Sequence, residues 1–207
     1  RGGHALVTTP SAGRFYDVAT HAEVQRQSVY LKVRDGLLEW LPQETILFPG
    51  ARALLDTRVE VTAAAHVAFW DVLVLGRPAC GERFDRGSVM QNFSLWRDGR
   101  LLLAERLELT AGDRLHRASP GLHDASTIGI ALFTAEPDEA LLWSWLTACN
   151  GEDVYGHFCV TQRGALLVAR YLGDDAQACR AGFGDLWARV TAARDGVAPA
   201  VPRIWHA

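Results

Sequence analysis

The chain has 207 residues, 49% of them hydrophobic and 22% charged, with a formal net charge of −3. That length suits one domain with a sizeable core, and so slight an acidic balance favours neither nucleic acid nor an anionic membrane as partner. No apolar run reaches the roughly eighteen residues of a membrane span, and no secretion leader is read, so a soluble protein is expected.

In chain order, His4 to Thr9 reads as a first strand closed by Pro10, with a loop at Ser11 to Gly13. Ser28 to Arg34 alternates apolar and polar residues, and Asp35-Gly36 then leads into Leu37 to Leu41, a pattern that predicts a hairpin with a type I′ turn. Leu37 to Ala51, LLEWLPQETILFPGA, predicts a crowded corner between strands, stopped at Pro42 and turned again at Pro49-Gly50. Ala53 to Val61 and Val67 to Leu75 form a second predicted pair. The later of these, VAFWDVLVL, is apolar on both faces, as a central strand covered on each side must be. Gly76 to Gly87 reads as a loop, and Val89 to Arg97, Asp98-Gly99 and Arg100 to Leu109 repeat the hairpin pattern.

Gly112 to Ser126 predicts another loop and Thr127 to Thr134 another strand. Helical spacing first appears at Leu141, Leu142, Trp145, Leu146 and Cys149, behind Pro137 and Asp138. A late hairpin follows over Phe158 to Leu172, then a helix from about Asp175 to Arg194, with Asp174 as its expected cap and Gly196 as its end. The expected fold is therefore mainly β and antiparallel, two-layered or β-helix-like, with about ten strands and two helices in the C-terminal third. Residues 1–207 are expected to form a single domain. The chain opens at Arg1 without methionine, and Met90 is its only one, so the natural N-terminus is expected to lie upstream.

No GxSxG, phosphate loop, dinucleotide motif, HExxH or CxxC is present. The seven histidines are scattered, and the four cysteines (Cys80, Cys149, Cys159, Cys179) stand far apart, the pattern of reduced thiols, from which a cytoplasmic home is expected. Three carboxylates lie on apolar strand faces. Asp71 is a lone charge inside VAFWDVLVL, and Glu105 shares a face with Leu101, Leu103, Leu107 and Leu109. Buried charge is costly without a partner. The hairpin register would set Asn92 opposite Glu105 and Lys32 opposite Glu39, giving each a partner. Together the three are compatible with a hydrated acidic path through a β core, whose oxygen ligands would hold a divalent metal weakly and transiently. The alternative is a glycosidase-type pair of Asp71 and Glu105 in a carbohydrate-active β-sandwich. A plain interaction module would instead turn Trp145 and Trp187 toward a partner.

Thr8-Thr9-Pro10-Ser11-Ala12-Gly13-Arg14-Phe15-Tyr16, Leu38-Glu39-Trp40-Leu41-Pro42-Gln43-Glu44 with Phe48-Pro49-Gly50-Ala51, Leu75-Gly76-Arg77-Pro78 with Gly81-Glu82-Arg83-Phe84, and Pro202-Arg203-Ile204-Trp205 occur in this order along the whole chain. The sequence so resembles the urease accessory protein D family, also called H. The resemblance implies a non-enzymatic, cytoplasmic scaffold that joins accessory protein F and the GTPase accessory protein G, docks on the urease apoprotein and helps nickel reach its site. It further implies an internal polar tunnel for transient nickel, with Asp71 and Glu105, and less firmly Glu39, as its acidic residues. The resemblance also implies a glycine-rich, strand-forming segment upstream of the Thr-Thr-Pro string, which is expected to be missing from this chain.

Overall fold

The computed structural model describes residues 2–18, 23–151 and 157–206. Its strands begin with β1 (His4–Val7), β2 (Gly13–Phe15), β3 (Gln25–Val33), β4 (Gly36–Trp40), β5 (Thr45–Leu47), β6 (Arg52–Val61) and β7 (Ala65–Arg77). Then come β8 (Glu82–Arg83), β9 (Ser88–Arg97), β10 (Arg100–Thr110), the short helix α1 (Arg114–Arg117) and β11 (Thr127–Phe133). Helix α2 (Glu139–Asn150), the hairpin of β12 (Phe158–Arg163) and β13 (Leu166–Gly173), and helix α3 (Ala176–Asp195) follow.

One sheet runs β1-β4-β7-β11-β13-β12, with β5 also on β7, β2 on β5, and β8 on the end of β7; the other runs β10-β9-β6-β3. Ladders β3–β6, β6–β9, β4–β7, β5–β7, β1–β4 and β2–β5 are parallel, whereas β9–β10, β7–β11, β11–β13 and β12–β13 are antiparallel. The sheets are therefore mixed, which corrects the antiparallel expectation. Between β3, β6 and β9 the chain passes each time through the other sheet, so its first half winds as a β-helix does. Two expected hairpins dissolve for this reason: β3 and β4 lie in different sheets, as do β6 and β7.

Backbone angles explain which Asp-Gly pair makes a hairpin. Asp98 and Gly99 both have positive φ, 49° and 76°, as a type I′ turn requires. At Asp35-Gly36 only the glycine does, at 82°. A Cβ on Gly36 would stand 2.1 Å from the Gly3 carbonyl oxygen, so glycine is needed there for the close approach of the chain leading into β1. The expected corner at Leu37 to Ala51 is likewise different. β4 and β5 run parallel to β7 at separate levels of its length, and Pro42 to Glu44 step off the ladder between them.

The helices follow the apolar spacing. Asp138 and Asp175 cap α2 and α3 by accepting from backbone N–H groups, and Gly196 ends α3 at φ 74°. Asp174, the expected cap, instead accepts from the N–H and hydroxyl of Ser126. The short α1 is an addition to the two expected helices, inside the segment read as a loop.

Each face of the nine-stranded sheet is covered. Outward, Trp70, Val72, Ala131, Phe133 and Tyr171 pack against Trp145, Phe183, Leu186 and Trp187 of the helices. Both Trp145 and Trp187 are buried, so neither is turned to a partner. Inward, the sheets enclose two apolar clusters, one around Leu55, Leu73, Leu75, Val89 and Leu109, the other around Val59, Val67, Phe69, Phe93 and Leu95. Packing is close where α3 crosses β11: a Cβ on Gly129 would lie 2.5 Å from Cys179 Sγ and 2.8 Å from Phe183. Gly129→Ala is expected to cost about 1–3 kcal/mol by overpacking, read as a lower urea midpoint at unchanged slope.

Candidate functional site

Side chains alternate along β7, so Val67, Phe69, Asp71, Leu73 and Leu75 face the other sheet. Asp71 is the polar member of that row, and it sits between the two apolar clusters. The same interruption recurs on three neighbouring strands: Gln91 follows Val89 on β9, Glu105 lies between Leu103 and Leu107 on β10, and Arg170 follows Val168 on β13. Ile130 of β11 stands opposite both Asp71 and Arg170, which places the two at one level across the sheet. Together with Thr57 these residues line a cavity of about 210 Å³ between the sheets.

Hydrogen bonding within the cavity is paired. Gln91 Nε2 donates to Asp71 Oδ2 at 2.8 Å. Arg170 Nη2 donates to Glu105 Oε1, and this ion pair crosses from one sheet to the other. The Glu105 and Arg170 side chains keep 36% and 38% of their exposure, so they form the mouth of the cavity. Burial pushes the Asp71 carboxyl up to about 6, against the smaller opposing pull of Gln91 and the Val72 N–H.

The expected partners are replaced. A register shift between Leu101 and Leu103 sets Phe93, rather than Asn92, opposite Glu105, and leaves Leu101 exposed. Asn92 donates to Asp56 at 2.7 Å. Lys32 pairs with Glu60 on the outer face of the four-stranded sheet, at 3.3 Å. Glu39 lies on the helix side of the nine-stranded sheet, 1% exposed, and accepts from Trp187 Nε1 at 2.6 Å and His4 Nε2 at 2.7 Å. The structure thus brings Asp71 and Glu105 into one cavity and sets Glu39 apart from them. Arg170 and Gln91 are not among the residues expected from the sequence, although each breaks an alternating apolar row just as Asp71 does.

Chemically the site offers oxygen donors. Among the described residues no cluster of three or more histidine, cysteine, aspartate or glutamate side chains stands together as a metal site. Burial pushes the Cys149 thiol up to about 11 and that of Cys179 higher still, so neither supplies a thiolate near neutral pH. Two carboxylates and an amide suit weak, exchangeable binding of a divalent ion rather than a permanent site.

The recurring strings meet in space. Thr9 Oγ1 accepts from the Gln43 N–H at 2.9 Å, Trp70 Nε1 donates to the Pro42 carbonyl at 2.8 Å, and Trp205 Nε1 donates to Thr8 Oγ1 at 3.0 Å. The Trp205 ring packs against Trp70 and Trp187, with centroids 5.3 and 5.5 Å apart. At the C-terminal end of β7, Arg77 pairs with Glu82 at 2.7 Å and lies over the Phe48 ring.

The raised Asp71 has a pH signature. Its folded value exceeds the ordinary 3.8, so the fold binds the proton more tightly than the unfolded chain does. Stability is then highest with Asp71 protonated and falls as pH rises toward and through about 6. Asp71→Asn is expected to remove this slope, a difference of up to about 3 kcal/mol between acid and neutral pH in urea titrations.

Residues 1–206 match the family model described as UreD urease accessory protein. Proteins named urease accessory protein UreD are similar over the whole chain. The one from Saccharophagus degradans is 38% identical across 100% of this chain and 71% of its own length. That from Nitrosococcus oceani is 38% identical across 99% and 69%, and that from Pseudomonas fluorescens strain Pf0-1 is 41% identical across 100% and 72%. With signature strings that staple the fold and a family match along its length, this chain belongs to the UreD family of urease accessory proteins.

Proposed function

We propose that this protein is a non-catalytic, cytoplasmic scaffold of urease maturation that assists nickel delivery to the urease apoprotein, in complex with accessory proteins F and G. Nickel is cargo in this scheme, held briefly and passed on. The observation that supports it is the acidic break in an otherwise apolar sandwich, where Asp71 and Glu105 line one cavity with Gln91. A half-buried carboxylate without a charged partner, as at Asp71, weakens the fold, so its presence there points to a task other than stability. Glu39, held by Trp187 and His4 behind the sheet, is assigned to the packing of α3 rather than to the nickel path.

A carbohydrate-active hydrolase finds less support. The cavity of about 210 Å³ is smaller than the roughly 300 Å³ at which small-molecule pockets begin, and Trp40, Trp70 and Trp96 do not line it.

The test replaces both acids, Asp71→Ala with Glu105→Ala, and measures urease activation at limiting nickel after complex formation has been checked. Activation is expected to fall severalfold and to recover as nickel is raised. Unchanged activation would remove the nickel path and leave the scaffold role standing.

A further inference from the structure

The cavity contains a cation of its own. β10 is the free edge of the four-stranded sheet, and β13 lies one strand in from the edge of the other. No ladder joins them, and the Arg170–Glu105 pair bridges the gap. Arg106, the other arginine at the rim, is turned to Glu108 at 2.7 Å. Arg170 is therefore the positive charge set against the cavity's carboxylates, with Asp71 behind it and its own guanidinium at the mouth.

We propose that Arg170 is the gate of the cavity, a displaceable counter-ion that holds Glu105 until a divalent cation takes its place. The inference rests on the proposed nickel path and adds a residue and a step to it. A guanidinium stays charged throughout the working pH range, so Glu105 is neutralised whenever the pair is closed. An incoming divalent ion competes for the same carboxylate oxygens, and its double charge gives it the advantage over a single one at similar distance. The pair is about a third exposed, which makes it weak enough to open, and the long arginine side chain can swing outward into water. A permanently free Glu105 would hold cargo more tightly and release it more slowly; a resident arginine returns to the carboxylate and favours release.

The test is nickel binding to the purified protein by equilibrium dialysis, with circular dichroism melts as a check on folding. Arg170→Met keeps much of the side-chain volume and removes the charge. It is expected to bind nickel on the order of tenfold more tightly than the wild type, and adding Glu105→Gln should abolish the gain. Arg170→Lys, which retains the charge without the planar fork, is expected to show a smaller gain and serves if the methionine variant does not fold. Wild-type affinity in the folded variants would overturn the gate. The two ideas fail separately: impaired activation by the Asp71 and Glu105 variants without tighter binding in Arg170→Met rejects the gate alone. Tighter binding with normal activation in the acid variants rejects the path alone.

Discussion

β7 carries apolar side chains on both of its faces, and such a strand is stable only when something packs on each side. Its outward row, including Trp70 and Val72, requires the helices, and its inward row, including Val67, Phe69, Leu73 and Leu75, requires the second sheet. Its length also matters, because β4 and β5 can both pair with it at different levels only if it outruns them. The three layers follow from this one strand. The connections between them are then set by the parallel winding, which returns the chain to β7's sheet after β3 and again after β6.

Against that background the polar level at Asp71 is a local violation of the packing rule, kept in place by its neighbours. Gln91 donates to one oxygen of Asp71, and Arg170 neutralises Glu105, so each carboxylate has a hydrogen-bond partner in the sandwich. The apolar clusters above and below supply the cohesion that this level gives up. Sites that depart from the stable pattern are where function is expected to lie, and here the departure is confined to one row of side chains on each of four strands.

The strings by which the family is recognised turn out to have structural duties. The threonines of the first, the proline and glutamine of the second and the tryptophan of the last meet over Trp70, while Arg77 and Glu82 brace the far end of β7. They fasten the central strand at its middle and at its C-terminal end. The acidic cavity opens on the opposite face of β7 from Trp70 and is lined by none of the quoted strings, so similarity along the chain and chemistry at the site are carried by different residues.

Local pattern alone determined a good deal: an apolar run on both faces marks β7 as a doubly buried strand, and the β9–β10 and β12–β13 hairpins, α2, α3 and the Gly196 stop rest on interactions between residues close in sequence. Asp71 and Glu105 stood out because a charge on an alternating apolar face is conspicuous wherever that face lies. Tertiary structure decided what lay opposite. Alternation along a strand says which residues share a face and says nothing of which strand is its neighbour, so β3 with β4 and β6 with β7 read as hairpins although each pair is split between sheets. For the same reason alternation pairs Lys32 with Glu39 although the two stand in different sheets, and the register shift beside Leu101 moves Asn92 away from Glu105. Arg170, distant in sequence from both carboxylates, joins them only because the two sheets fold face to face.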